Sequence, residues 1–372
     1  MIELEKMPKL GFGLMRLPES GGEIDAAKVC RMADRCLERG FNYFDTAYVY
    51  HGGKSESIVK TVLTDRHPRD TFYLATKLPA WSIKEEADRD RIFNEQLARC
   101  GVEYFDFYLL HAVDDGEHYG VYEKFDCFNW AKEKKAEGRI RHFGFSYHGT
   151  PELLEQILDK HPEVEFVQIQ LNYADWDSPT VQSGKLYDIL HARRIPVIVM
   201  EPVKGGKLAS LAPELGGILR AARPGATEAS WALRFAGSLD GVMTVLSGMS
   251  TQEQIEENTG IFSDFVPLSG EERDAISAVV KKMRDMPQVQ CTACRYCCDG
   301  CPAGIKIPDV FQILNTLRLY PGDPHPKTSY ASLTADSGKA RDCVGCGQCE
   351  GVCPQHLPVI DLMKEAAEKL DQ

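Results

Sequence analysis

The sequence predicts an α/β chain: a (β/α)8 TIM barrel followed by a small C-terminal domain of a different kind. Three observations carry that prediction. Short apolar runs alternate with amphipathic stretches over roughly residues 8–262, the pattern of parallel strands joined by crossover helices. Eight such units fall within about 250 residues, a spacing that suits a closed barrel better than an open sheet. Beyond them, nine of the 13 cysteines crowd into two short windows, 291–301 and 343–353.

Taken in order, the strands read at 10–17, 43–46, 72–76, 105–110, 142–146, 166–171, 196–200 and 242–246. Each is a short apolar run bounded by polar or turn residues. Helices read between them at 26–39, 56–63, 85–100, 125–137, 151–159, 180–192, 227–236 and 251–258. Several stop at a glycine, as at Gly40, Gly101 and Gly138, the residue that most easily takes the left-handed backbone of a helix end. A further helix at 269–285 closes the first domain, and Met286-Pro287-Gln288 reads as a linker, so the expected domains are 1–286 and 287–372. Between the cysteine windows, 309–319 reads as a helix and the proline-rich 320–326 as an irregular loop.

Composition narrows the partners. Against 43 Lys and Arg stand 55 Asp and Glu, a formal charge of -12 with no basic tract, which opposes attraction to phosphate backbones and argues against nucleic acid. The first six residues, Met1-Ile2-Glu3-Leu4-Glu5-Lys6, lack the basic start and apolar run of a secretory signal. No stretch is long and apolar enough to span a bilayer, so no membrane partner is expected and the expected location is cytoplasmic. Clustered cysteines point to metal, not disulfides. The scattered Cys30, Cys36, Cys100 and Cys127 read as small buried hydrophobes.

The windows repeat one spacing. Cys291, Cys294, Cys297 and Cys301-Pro302 follow C-x2-C-x2-C-x3-C-P, and Cys343, Cys346, Cys349 and Cys353-Pro354 do so again. Three close thiolates wrap one corner of a cubane while the fourth, turned away at the proline, reaches the neighbouring cluster. A bacterial-ferredoxin-like domain with two 4Fe-4S clusters is therefore expected, with Cys291, Cys294, Cys297 and Cys353 on one cluster and Cys343, Cys346, Cys349 and Cys301 on the other. Two structural zinc sites are the alternative, but they account for neither the third C-x2-C step nor the trailing Cys-Pro. Cys298 is surplus to either scheme.

Polar residues gather where consecutive barrel strands end: Asp45 to Tyr50 after the second, Lys77 after the third and His111 after the fourth. In a barrel that face does the chemistry. This constellation resembles the tetrad of the aldo-keto reductase superfamily, an Asp and a Tyr five residues apart followed by a Lys and a His on the next two strands. The resemblance implies Asp45, Tyr50, Lys77 and His111 as catalytic residues. Hydride delivery to a carbonyl needs a proton donor at the developing alkoxide. Lys77, held by Asp45, is expected to lower the Tyr50 pKa, and His111 to orient the carbonyl oxygen. Tyr48 rivals Tyr50, but the five-residue offset from Asp45 and the following His-Gly-Gly favour Tyr50.

The resemblance extends over residues 8–262 and implies a nicotinamide cofactor, NADP or NAD. It implies Ser146 and Gln170 at the carboxamide, Glu257 and Asn258 at the adenine end, Gly205 and Gly206 at the pyrophosphate, and contacts from Gly13, Pro202 and Ser250. This sequence departs from the family at Tyr147, where an Asn is common, and at Met200, where an aromatic ring usually stacks on nicotinamide. It departs again at Gln254, where an Arg often meets the 2′-phosphate, leaving Lys207 as a substitute. Trp81, His118, Tyr119 and Tyr122 lie where a substrate loop would be, and His148 lies near the fifth strand. The expected function is NAD(P)H-dependent reduction of a small-molecule aldehyde or ketone to an alcohol, with an electron-transfer protein as a further partner of the clusters. The alternatives are an electron-relay or docking module without carbonyl reductase activity, and a ferredoxin-linked reductase. Hydride and single-electron carriers exchange only through a flavin or a radical.

Overall fold

Eight parallel strands close on themselves in the computed structural model, which describes residues 6–371. They are β1 (Leu10–Gly13), β2 (Tyr43–Asp45), β3 (Tyr73–Pro79), β4 (Phe105–Val113), β5 (Ile140–Tyr147), β6 (Phe166–Gln170), β7 (Val197–Met200) and β8 (Val242–Ser247). Each pairs with its successor in the chain, and β8 closes the ring on β1 through Leu10 opposite Val245. The expected (β/α)8 barrel is present.

The ends of elements differ from the sequence pattern for local reasons. β1 stops at Gly13; the chain then turns into a short antiparallel ribbon, Glu19–Ser20 against Glu23–Ile24, so the apolar run to Leu17 is only half strand. β3 and β4 run on to Pro79 and Val113, past the polar residues that seemed to end them. The helix expected at 56–63 is Ser55–Val59 followed by a wider π-type turn, Lys60–Thr64. That expected at 180–192 starts at Ser183, because Gln182 before it takes a left-handed conformation with φ 50°. Helices Glu117–Lys124, Pro213–Ala222, His325–Leu333 and Val359–Leu370 were not expected. The first of these buries only Tyr122, so it has no apolar stripe from which periodicity could be read.

Inside the barrel, Tyr43, Ala75, Phe107, Leu109, Phe166, Ile198, Met243 and Leu246 form a buried floor. Tyr43 and Phe166 both lie against Phe107, with ring centroids 5.1 and 5.2 Å away. Packing there leaves no room at Gly144 of β5, where a Cβ would stand 2.3 Å from the carbonyl oxygen of Phe166. This plug seals one end of the barrel and leaves the C-terminal ends of the strands as the mouth.

The chain divides into two compact units. One comprises the chain up to Lys204 together with Ser230–Ser269, and the other comprises Gly205–Ala229 with Gly270 onward. Within the second unit, helix Pro213–Ala222 packs on helix Gly270–Asp285, Arg223 pairs with Glu272 at 3.0 Å, and the Ala212 N–H donates to Leu319 O at 3.1 Å. Its own core gathers Ile305, Ile307, Val310, Phe311, Leu314, Val359 and Met363.

Candidate active site

Strand register brings the mouth residues together. Asp45 closes β2, Lys77 lies on the neighbouring β3, and Pro79 of β3 stands opposite His111 of β4. Tyr50 begins a tight turn, Tyr50–Gly53, in which His51, Gly52 and Gly53 all have positive φ. Glycine takes that geometry freely. His51 is pinned there, accepting from the Leu17 N–H at 3.1 Å on Nε2 and meeting Glu19 at 3.0 Å through Nδ1.

Lys77 is wholly buried, donating to Asp45 Oδ1 at 2.6 Å and to Thr46 O at 2.7 Å. Its Nζ lies 5.1 Å from the centroid of the Tyr50 ring, and that ring meets His111 edge-on at 6.0 Å. The four tetrad residues therefore share one site. Tyr48 does not join them: its hydroxyl donates to Glu95 at 2.7 Å and Arg99 stacks on its ring at 4.3 Å.

Burial works against the Lys77 ammonium, but Asp45 and then Tyr50 outweigh it and hold its pKa above the ordinary value. Burial also pushes the Asp45 carboxyl up while Lys77 pulls it back; with the ammonium at 2.6 Å, the ion pair is the form we assign at neutral pH. The Tyr50 phenol departs from the sequence expectation. Burial pushes it above the usual phenol value, and the Lys77 charge only partly reverses that. His111 is pushed well down, first by burial and then by Lys77, so its ring is neutral near pH 7.

A buried network backs Lys77. Gln96 donates to Lys77 O at 3.0 Å and to Glu56 at 2.8 Å, Thr76 donates to Glu56 at 2.7 Å, and Tyr108 donates to Gln96 at 2.7 Å. On the open side Trp81, 41% exposed, lies 5.2 Å from both His111 and His118. Tyr122 is instead a brace: buried, it accepts from the N–H groups of Ala80 and His111 and lies 2.7 Å from Leu78 O, tying β3 to β4. Beyond His111 the backbone bulges at Ala112 (φ 56°), whose N–H donates to Ser146 Oγ at 2.8 Å. His111 Nδ1 is buried without a hydrogen-bond partner among the described residues.

Most of the residues expected at the cofactor are engaged in hydrogen bonds within the chain. Gln170 donates to Asp175 at 3.0 Å, and Met200 receives a contact from Gln168 Nε2 at 3.4 Å. Gln254 spends its side chain on the helix start, accepting from the Ser250 and Thr251 N–H groups while Thr251 caps in return. Ser250 Oγ donates to Arg16 O at 2.6 Å, and Asn258 donates to Ser247 Oγ at 3.0 Å. Gly13 has ordinary space around it, with Ser247 O 3.5 Å from a built Cβ. Pro202 is buried and Glu257 half-buried. Gly205 and Gly206 take left-handed backbone at φ 64° and 98°, a conformation glycine adopts without strain. Sequence reasoning missed Asp175 and Lys204, which form an ion pair beneath Gln170.

In the second unit the cysteines line two cavities. Cys343, Cys346, Cys349 and Cys301 line one, and Cys291, Cys294, Cys297 and Cys353 line the other. The fourth cysteine of each window thus faces the other window's cavity, and Cys298 lines neither. Among the described residues no three Cys, His, Asp or Glu side chains meet closely enough to hold a single metal ion. Each set surrounds a space, which fits a polynuclear cluster better than a lone zinc ion.

Residues 9–281 match the Aldo/keto reductase family, nearly three quarters of the chain. The chain belongs to that family. Residues 290–357 match the 4Fe-4S dicluster domain, so this family member carries a C-terminal iron-sulfur domain. Similar proteins include an aldo-keto reductase of Mycobacterium avium, 28% identical over 74% of this chain and 86% of its own, and the L-galactose dehydrogenase of Arabidopsis thaliana, 26% identical over 74% and 90%. Among solved structures, the holo form of the Bacillus halodurans aldo-keto reductase AKR11C1 aligns with a TM-score of 0.60 at 26% identity, covering 73% of this chain and 92% of that one. A Klebsiella pneumoniae aldo/keto reductase in complex with NADP and acetate aligns at 0.60 and 21% identity, over 74% and 92%. The protein is an NAD(P)-dependent oxidoreductase of the aldo-keto reductase type. No helix among the described residues is long and apolar enough to cross a membrane.

Proposed function

We propose that this protein reduces a small-molecule aldehyde or ketone to the alcohol, with Tyr50 as general acid and NADP(H), the dinucleotide of the family resemblance, as cofactor. The observation that carries the reading is the Tyr50 ring held between the buried Lys77 ammonium and His111 at the barrel mouth. The reduced nicotinamide, when bound, supplies the hydride. Tyr50 gives its proton to the oxygen that becomes the alcohol. Lys77 stabilises the phenolate left behind, and neutral His111 directs the carbonyl oxygen toward Tyr50. Trp81 walls the open side and helps to exclude water. Gln170 holds the carboxamide, with Ser146 beside it, and Gly205 and Gly206 let the backbone approach the pyrophosphate.

In the same reading residues 287–372 are the ferredoxin domain. Cys291, Cys294, Cys297 and Cys353 ligate one 4Fe-4S cluster, and Cys343, Cys346, Cys349 and Cys301 ligate the other. Exposed Cys294 and Cys346 make these the sides from which an electron-transfer protein would be reached. Such clusters suit a reducing, cytoplasmic compartment.

The test is anaerobic. Wild-type protein is mixed with NADPH and a panel of aldehydes and ketones while cofactor fluorescence and cluster absorbance are followed together. The reading expects carbonyl-dependent NADPH consumption, no bleaching by NADPH alone, and loss of turnover in Tyr50→Phe with the cluster spectrum unchanged. Retained turnover in that variant rejects Tyr50 as the acid, and bleaching without consumption of any carbonyl favours an electron relay.

A further inference from the structure

Asp175 lies in the turn after β6 and is 3% exposed. Its Oδ2 accepts from Gln170 Nε2 at 3.0 Å and from Asn172 Nδ2 at 2.8 Å, and its Oδ1 accepts from Lys204 Nζ. Both carboxylate oxygens are thus occupied by donors. We infer that Asp175 is a positioning residue for the nicotinamide: it fixes which end of the Gln170 amide faces the cofactor. This rests on the reading of Gln170 as the carboxamide contact.

The chemistry of the pair leaves one arrangement. A side-chain amide has a donor end and an acceptor end, and an ionised carboxylate accepts only. Gln170 must therefore turn its NH2 to Asp175 and its Oε1 away. Among the described residues none donates a hydrogen bond to that oxygen, and Gln170 is half-buried. A nicotinamide carboxamide brings an NH2 group that needs such an acceptor. Reversed, Gln170 would present a donor, which that NH2 group cannot meet.

A buried carboxylate stays ionised only if it is paired. Lys204 provides the countercharge, and reaches it from a strained backbone. Glu201 and Lys204, which follow β7, both have positive φ, at 58° and 51°, a conformation uncommon outside glycine. Asn172 holds the same stretch, donating to Glu201 O at 3.1 Å. Asp175 therefore ties the amide that faces the carboxamide to the segment Glu201–Lys204 that follows β7.

The experiment compares binding of NADPH with binding of 2′,5′-ADP, which has the adenine half and no nicotinamide. Asp175→Asn should weaken NADPH by about 10-fold, the worth of one hydrogen bond placed against a mismatch, and leave 2′,5′-ADP unchanged. Gln170→Glu should weaken NADPH more than Gln170→Ala does, because it sets one carboxylate against another; this arm stands even if Asp175→Asn fails to fold. The exchange Gln170→Glu with Asp175→Asn restores a donor facing a carboxylate and keeps an oxygen toward the cofactor, and should recover most of the lost affinity. A merely structural Asp175 would weaken both ligands alike and gain nothing from the exchange, which would overturn the inference. If Gln170→Ala weakens NADPH while Asp175→Asn does not, the positioning role is wrong. If Gln170→Ala leaves NADPH untouched, it is the carboxamide reading itself that fails.

Discussion

The barrel mouth and the cysteine-lined unit solve the same problem, holding reactive groups in place, in opposite ways. At the mouth the charges satisfy one another within the chain: Lys77 meets Asp45 and the Thr46 carbonyl, and Gln96, Glu56 and Thr76 back them. In the C-terminal unit four sulfurs surround each cavity, with apolar Ile305, Ile307, Val359 and Met363 beside them. The mouth is assembled by strand register across residues far apart in sequence, whereas the cavities are built from local spacing plus one cysteine exchanged between windows. The first should therefore stand without its cofactor, and the second should depend on its iron.

The largest effect that would break this contrast is iron removal. Anaerobic chelation should abolish the visible absorbance and the thermal transition of the C-terminal unit while a barrel transition persists; an unchanged calorimetric profile would mean that the cavities are self-supporting. Next comes the mouth. Lys77→Met leaves Asp45 buried without its partner and should cost about 3–5 kcal/mol in denaturant unfolding, and a negligible loss would show that the pair is not the keystone of that network. Smaller still is Gly144→Ala, which sets a methyl group against Phe166 O and should cost about 1–3 kcal/mol by overpacking. The smallest is Tyr48→Phe, expected to lose about 0.5–1.5 kcal/mol with its bond to Glu95 and no turnover, since Tyr48 is engaged by Glu95 and Arg99.

Much of this was legible in the residues. Eight apolar runs announced the barrel because parallel strands buried on both faces leave such runs. Asp45, Lys77 and His111 stood out because they lie near the C-terminal ends of consecutive strands, and the cysteine windows stood out because one spacing repeats with a trailing Cys-Pro. What stayed hidden depends on three-dimensional burial. Nothing in the Asp45–Tyr50 segment reveals that burial outweighs Lys77 and lifts the Tyr50 phenol. Nor does a pattern reveal that Tyr122, in a helix burying one residue, braces β3 to β4. Asp175 and Lys204 meet across 29 residues, and the left-handed backbone at Ala112, Glu201 and Lys204 falls on residue types that seldom signal it.

The pH dependence of kcat/KM for carbonyl reduction, at saturating NADPH, tests the proton donor most directly. An acid must be protonated to act, so a phenol raised above its ordinary value of about 10 keeps the rate level through neutrality, and the rate is lost only as pH climbs through that raised value. His111, pushed well down, is neutral over the same range and adds no limb near neutrality. The predicted result is a single alkaline limb above about pH 10 that disappears in Tyr50→Phe along with most of the rate. A limb near neutrality, or one that survives intact in Tyr50→Phe, would contradict Tyr50 as the source of the proton.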